Sequence, residues 1–195
     1  MTTNAATTRA TALEHAASPG PMLTTTAARA LAVLRIATGF VFLWAFLDKT
    51  FGLAYSTPAD RAWINGGSPT NGFLSHVEVG PFQSIAQSIA GTWWADTLFM
   101  TGMAAVGIAL IAGIGLRVAA VSGALIMTMM WLAEFPLDRF TATGEPSGST
   151  NPITDYHLIY AVALVVLAAS YAGHTWGLGR IWARLPLVQR NRWMI

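Results

Sequence analysis

The sequence predicts an all-α integral membrane protein, organised as a four-helix bundle with a short interfacial helix in its first outer loop and a basic amphipathic C-terminal segment. Of the 195 residues, 54% are hydrophobic and only 10% are charged, whereas soluble domains carry about 25% charged residues. Several apolar runs approach the length of about 20 residues that a helix needs to cross a bilayer. Polar and turn-forming residues are concentrated between these runs.

The composition also excludes several kinds of chemistry. The chain has no cysteine, so it cannot form disulfides, thiolate nucleophiles or cysteine-ligated iron–sulfur clusters. His157 and His174 fall at opposite ends of one predicted helix, which argues against bis-histidine haem and against zinc. We therefore expect no haem, flavin, iron–sulfur cluster or metal on this chain. The formal net charge is only +2, so nucleic acid is not an expected partner.

The first element is a predicted helix over residues 27–51, which follows a tail at 1–26 that reads as disordered. The helix is apolar but carries cations near both ends. At about 100° per residue its polar positions fall on one stripe. Charged residues on a membrane helix face protein or water, so we interpret the stripe as lining a polar site, with snorkelling to the head groups as the alternative. The stripe consists of Arg35, Thr38, Gly39, Phe42, Phe46 and Lys49.

A long polar loop then leads to two closely spaced helices. Within the loop, residues 81–90 place apolar side chains at helical spacing, which predicts the short interfacial helix. Helices are predicted over 93–116 and 118–135. In the first of them, Ala105, Ala109 and Gly113 form a small-residue stripe suited to close helix packing.

The fourth helix is predicted over 152–173, with Asn151 as its N-cap and Gly173 as its C-cap. It completes a transmembrane domain over 27–175. Residues 176–195 interleave arginines with apolar side chains, a pattern typical of a basic segment on the membrane surface.

The distribution of charge predicts orientation. Four spans place both termini on one side of the membrane, and that side receives eight of the 11 Lys and Arg residues. The positive-inside rule then places both termini in the cytoplasm. We expect a multi-pass protein of the plasma (inner) membrane.

Polar residues at the predicted outer helix ends form the candidate site. We expect a half-buried pocket for a quinone head group, because quinone carbonyls need hydrogen-bond donors and reduction needs a proton path. The alternative is that these are helix-end residues touching water and aromatic residues of the interfacial belt. The candidate catalytic residues are His157, Lys49, Glu134 and Asp155, and the candidate quinone-binding residues are Trp44, Trp131, Tyr160 and Arg35.

Three stretches carry a family resemblance. They are LRIATGFVFLWAFLDKTFG (34–52), NPITDYHLIYAVALVVLA (151–168) and AGHTWGLGRIW (172–182). They resemble the DoxX/DoxD family of small four-helix membrane proteins, in which Arg, Gly and Lys tend to occur at the positions of Arg35, Gly39 and Lys49. The loop SPTNGFLS (68–75) is similar to the DoxD-like branch. Where some members have His-Gly before the Lys, this chain has Trp44-Ala45-Phe46, so a ligand role for that His cannot be carried over.

The resemblance implies two functions. One is a subunit of the thiosulfate:quinone oxidoreductase type, which oxidises thiosulfate and passes electrons to membrane quinone together with a second protein subunit. The other is a non-catalytic membrane subunit or anchor of a redox or respiratory complex. A small-molecule carrier is a third alternative, although the broken helices typical of carriers are not evident in the sequence.

Overall fold

The computed structural model describes residues 24–78, 80–141 and 143–195. These residues form helices, turns and one isolated β-bridge, so the predicted all-α fold is confirmed. The predicted tail at 1–26 lies almost wholly outside the described residues. The four long helices are α1 (Thr25–Phe51), α2 (Trp93–Ala112), α3 (Leu116–Glu134) and α4 (Tyr156–Ala169).

Three helices, α1 to α3, are long and apolar enough to cross a membrane, whereas α4 is apolar but has only 14 residues. Their outward faces carry large apolar side chains with no protein covering, as expected for surfaces that contact lipid. The most exposed of these side chains include Phe40, Leu98, Ile108, Val121, Leu125, Ile159, Val162 and Val165. The chain therefore has the features of a membrane protein.

Neighbouring helices are antiparallel and share one apolar core. Phe42 of α1, Leu110 of α2 and Leu164 of α4 are almost completely buried and belong to the same cluster, which α3 also joins. The backbones of α1 and α2 approach each other closely at Gly107. A side chain would not fit there, because a Cβ atom would lie 2.7 Å from the backbone nitrogen of Leu43. Small residues at such contacts let two backbones approach each other.

The predicted small-residue stripe on α2 is right at one of its three positions. Gly113 is buried, and a Cβ atom there would lie 3.0 Å from Cα of Gly173, whereas Ala105 is exposed and Ala109 is only partly buried. Gly107 and Gly39 make the close approach between α1 and α2. The stripe had the right spacing, but spacing alone does not identify which of several small-residue faces meets a neighbour.

The predicted start of the fourth helix was wrong by four residues. Asn151 accepts hydrogen bonds from the chain that follows it and donates one to the Thr154 carbonyl at 2.7 Å, which builds a turn. The N-cap is Asp155, whose side chain accepts from the Leu158 amide at 3.0 Å. The helix also ends early: Ser170 is its C-cap, and Gly173 lies in a separate 3₁₀ turn.

The remaining segments are short helices near the ends of the long ones. The predicted interfacial helix corresponds to Gln83–Ile89 in the loop after α1, and Asn71–Leu74 precedes it. After α4, the C-terminal segment contains Gly179–Trp182 and Pro186–Arg190. Trp176, Ile181, Leu187 and Trp193 in this segment are all more than 60% exposed.

Candidate functional site

The end of α3 and the start of α4 bring three ionisable side chains together. Nδ1 of His157 lies 2.6 Å from Oδ2 of Asp155 and 3.7 Å from Oε2 of Glu134. The three potential ligand atoms lie within 4.8 Å of one another. This group, the His157 cluster, gathers three of the four predicted catalytic residues.

Local helix geometry explains the Asp155–His157 pair. Asp155 is the N-cap, so its Oδ1 is occupied by the Leu158 amide and its Oδ2 is left facing the imidazole. An N-cap carboxylate satisfies one of the free amides of the first helical turn. The cap thereby fixes the orientation of the carboxylate, which in turn fixes the imidazole.

Exposure rises across the cluster in one direction. The His157 side chain is 1% exposed, that of Asp155 is 12% and that of Glu134 is 37%. A buried imidazole needs partners for its polar atoms, and Asp155 is the hydrogen-bond partner of Nδ1. Glu134 is the member that connects the cluster with solvent.

Two aromatic rings flank the imidazole. The Tyr156 ring centroid lies 4.0 Å from that of His157, and the Phe73 ring, from the loop at 52–92 that is predicted to be the first outer loop, lies at 6.4 Å. Tyr160, a predicted quinone-binding residue, lies one turn further along α4 and packs edge-on against Tyr156 at 6.3 Å. It thus joins the same aromatic group as His157.

A cleft of about 510 Å³ opens beside the cluster, and Glu134 forms part of its wall. The first predicted outer loop contributes Phe73 and Val77 to it, and the loop at 135–155, predicted to be the second outer loop, contributes Phe140. Four acids line it, Glu78, Glu134, Asp138 and Glu145, and no lysine or arginine belongs to its described lining. The cleft is therefore electronegative, which favours cations and neutral ligands over anions.

The two predicted tryptophans lie in different surroundings. Trp131 donates from Nε1 to the Ile153 carbonyl at 2.7 Å and packs on Phe135, so it holds the second outer loop close to the His157 cluster. Trp44 packs on Phe40, a neighbour on α1, and on Tyr55. Both partners of Trp44 are strongly exposed. The structure therefore does not place Trp44 in the cluster.

Lys49 is also not gathered into the cluster. It lies half-buried in the last turn of α1, and among the described residues no ion pair or hydrogen bond joins it to His157 or the two carboxylates. Its neighbour Asp48 is buried and accepts from the backbone amides of Tyr55 and Ser56 at 3.2 and 3.0 Å. Asp48 thus holds the start of the first outer loop.

Asp96 has a similar structural role at the start of α2. One of its oxygens accepts from the Thr70 amide at 2.8 Å, the Thr70 hydroxyl at 2.7 Å and the Ser68 hydroxyl at 3.0 Å. Both Asp96 and Thr70 are buried. The SPTNG part of the loop is thereby attached to the helix that follows it.

Arg35 lies at the opposite end of the molecule, so the structure does not bring it to the site. It is 0% exposed, which supports the interpretation that it faces the bundle and not the head groups. Its guanidinium donates to the carbonyls of Leu110, Ile111, Thr175 and Trp176. It therefore joins the C-terminal end of α2 to the turn after α4.

The sequence interpretation missed one property of the cluster. It rejected a metal site because the histidines are scattered, and it did not consider one histidine with two carboxylates. The signal was present in the sequence, as an acid closing one helix (Glu134) and an Asp-x-His opening the next (Asp155 and His157). Antiparallel helices joined by one loop bring such ends together.

Comparison of this chain with protein-family models, with curated proteins and with solved structures finds no match in any of the three. The DoxX/DoxD resemblance stays a prediction.

Proposed function

We propose that the protein is a four-span membrane subunit of a quinone-linked redox complex, with the quinone head group bound at the His157 cluster. The observation that carries the proposal is a buried imidazole whose orientation is fixed by a carboxylate, flanked by aromatic rings and next to an open cleft. Aromatic walls with a few convergent polar groups are the usual composition of small-molecule sites.

The cluster can supply the polar contacts that a quinone needs. Nδ1 of His157 is paired with Oδ2 of Asp155, which leaves Nε2 as the ring atom for the quinone. Glu134, the most exposed member, connects the buried part with water in the cleft. The hydroxyl of Tyr160, one turn further along α4, offers a second hydrogen-bond donor to the quinone.

Thiosulfate is the proposed electron source only through the family resemblance. The cleft beside the cluster is lined by four acids, so a dianion is repelled there. Within this proposal, thiosulfate is oxidised on a second protein subunit, and this chain receives the electrons for quinone.

The proposed topology has four spans with both termini in the cytoplasm. The loops at 52–92 and 135–155 lie at one end of the antiparallel helices, and the excess of arginine lies at the other. The absence of cysteine allows a direct test. Ser149→Cys, in the outer loop, should react with an impermeant maleimide on intact cells, and Gln189→Cys should not. The reverse labelling pattern would refute the orientation.

An assay of quinone reduction tests the proposed function. The protein, purified with its partners in mild detergent, is given thiosulfate and a soluble quinone, and quinone reduction is followed by absorbance. His157→Gln should lower turnover by about 10²-fold, the scale expected when a group that transfers protons is lost. His76→Gln is the matched control, because His76 lines the cleft outside the cluster. No reduction above a protein-free blank, over several quinones, would refute the proposal.

A second candidate, a non-catalytic anchor, is favoured by the C-terminal segment. Its Trp176, Ile181 and Trp193 side chains are exposed beside arginines, as in segments that lie on a membrane surface or hold a partner. If the protein is an anchor, replacing Arg184 and Arg190 with Gln should release a cytoplasmic partner from detergent-purified complexes, while His157→Gln should have no effect on any redox assay.

A further inference from the structure

We infer that Glu134, Asp155 and His157 form a binding site for one divalent transition-metal ion. One buried imidazole nitrogen and two carboxylate oxygens converge within 4.8 Å of one another. Three protein ligands with an open side are typical of metal sites that keep a position for water or substrate. The inference does not depend on the proposed quinone function, because it concerns binding of the ion itself.

The distances are close to those of a metal site. Two ligand atoms about 2.1 Å from a metal are separated by about 3.0 Å at a right angle and about 3.4 Å at the tetrahedral angle. The separation from Nδ1 of His157 to Oε2 of Glu134 is 3.7 Å, and that to Oδ2 of Asp155 is 2.6 Å. An ion replaces the proton shared by Nδ1 and Oδ2, and both separations then change by less than about 1 Å.

Two of the three ligands are held in place before any ion binds. Oδ1 of Asp155 is occupied by the helix cap, so the same carboxylate presents only Oδ2 to the cluster. The His157 ring is buried and packed beside Tyr156. The side chain of Glu134 is the most exposed and completes the set from the cleft. In many metal sites, neighbouring groups hydrogen-bond to the residues that bind the metal and so fix the orientation of those residues.

Charge and ligand type indicate the class of ion. Two carboxylates balance the charge of a divalent cation. An imidazole ligand favours zinc, iron or similar transition ions, whereas magnesium and calcium prefer oxygen ligands alone. The site should therefore bind Zn²⁺ in preference to Mg²⁺ or Ca²⁺.

Binding of Zn²⁺ to the full-length, tag-free protein in detergent tests the inference. Equilibrium dialysis with metal analysis should give one saturable Zn²⁺ per chain that excess Mg²⁺ does not displace. Zn²⁺ binding should be weakened by about 10–100-fold or more in each of Glu134→Gln, Asp155→Asn and His157→Gln. Even the loss of a group that only hydrogen-bonds to a metal ligand weakens binding by about that much. Asn keeps the helix cap in the Asp155 variant.

Matched controls exclude unspecific binding. Glu145→Gln removes an acid from the cleft but not from the cluster, and His76→Gln removes an exposed imidazole. Both should bind Zn²⁺ as the unchanged protein does. Helix content measured by circular dichroism verifies that each variant is folded. Glu134→Gln alters the most exposed ligand, so it stays informative even if His157→Gln fails to fold.

A spectroscopic readout adds ligand identity. Co²⁺ in place of Zn²⁺ should give visible absorption bands whose intensity changes in folded Glu134→Gln and Asp155→Asn. Equal Zn²⁺ affinity in these variants and the unchanged protein, or no saturable Zn²⁺ binding by folded protein, would overturn the inference. The Zn²⁺ and Co²⁺ measurements do not involve quinone reduction, so they test the metal site separately from the proposed function. A failed quinone assay with intact Zn²⁺ binding would count against the proposed function alone.

Discussion

Replacing Arg35 with leucine tests the contact that joins α2 to the turn after α4. The Arg35 guanidinium is fully buried and donates to four carbonyls, at 2.8 Å to Ile111, 3.3 Å to Thr175, 2.9 Å to Trp176, and also to Leu110. Leucine makes α1 more apolar, which by itself favours a membrane helix. The structure nevertheless predicts that Arg35→Leu is destabilising, because the carbonyls lose their shared donor.

The magnitude follows from the number of carbonyls left without a partner. The Leu110 carbonyl keeps the Gly113 amide as a donor at 3.1 Å, which leaves those of Ile111, Thr175 and Trp176. The hydrogen bonds to these three carbonyls are only partly buried, so each loss counts at the low end of about 1–3 kcal/mol, and three amount to about 3 kcal/mol. Removing the guanidinium also removes its own desolvation cost, so we expect a net loss of about 1–3 kcal/mol.

Unfolding of the purified protein in mixed detergent micelles, followed by circular dichroism, measures this loss. Arg29→Leu is the matched control, since Arg29 is an exposed arginine near the start of the same helix. It should change the free energy of unfolding by less than about 0.5 kcal/mol. Arg35→Lys should fall between the two, because an ammonium cannot reproduce the fork of the guanidinium. Equal stability of Arg35→Leu and Arg29→Leu would refute the reasoning.

Three further predictions concern packing, the first outer loop and pH. Gly107→Ala places a methyl group 2.7 Å from the backbone of α1 and should cost about 1–3 kcal/mol in the same unfolding assay, whereas Gly72→Ala, at a position with open space, should be neutral. Asp96→Ala removes three hydrogen bonds from the first outer loop and should speed its cleavage by an added protease; cleavage unchanged from the parent would contradict the anchoring role. Burial, and then the charge of Arg180, lower the pKa of His174. The folded state then binds fewer protons than the unfolded state, so the contribution of His174 is complete above pH about 6.5 and is lost as pH falls below it. His174→Gln should flatten this slope below about pH 6.5, and an unchanged slope would refute the assignment.

Composition and spacing alone were enough for the class of protein and the approximate helices. Low charge and long apolar runs are properties of a chain that is to lie in lipid, whatever its tertiary arrangement. The periodicity of α1 also predicted that Arg35 faces inward, because the face of a residue depends only on its own helix. The exact helix ends were less predictable. The Asn151 side chain closes a turn by donating to the Thr154 carbonyl, and Asp155 is the residue that caps α4.

Only the tertiary structure decided which polar residues meet. His157, Asp155 and Glu134 converge, whereas no hydrogen bond or ion pair among the described residues joins Lys49 to them, and Trp44 packs on Phe40. Arg35 contacts carbonyls at the other end of the molecule. The physical reason is that periodicity fixes a residue on the face of its own helix, whereas the rotation and height of neighbouring helices depend on contacts such as Gly107 against Leu43.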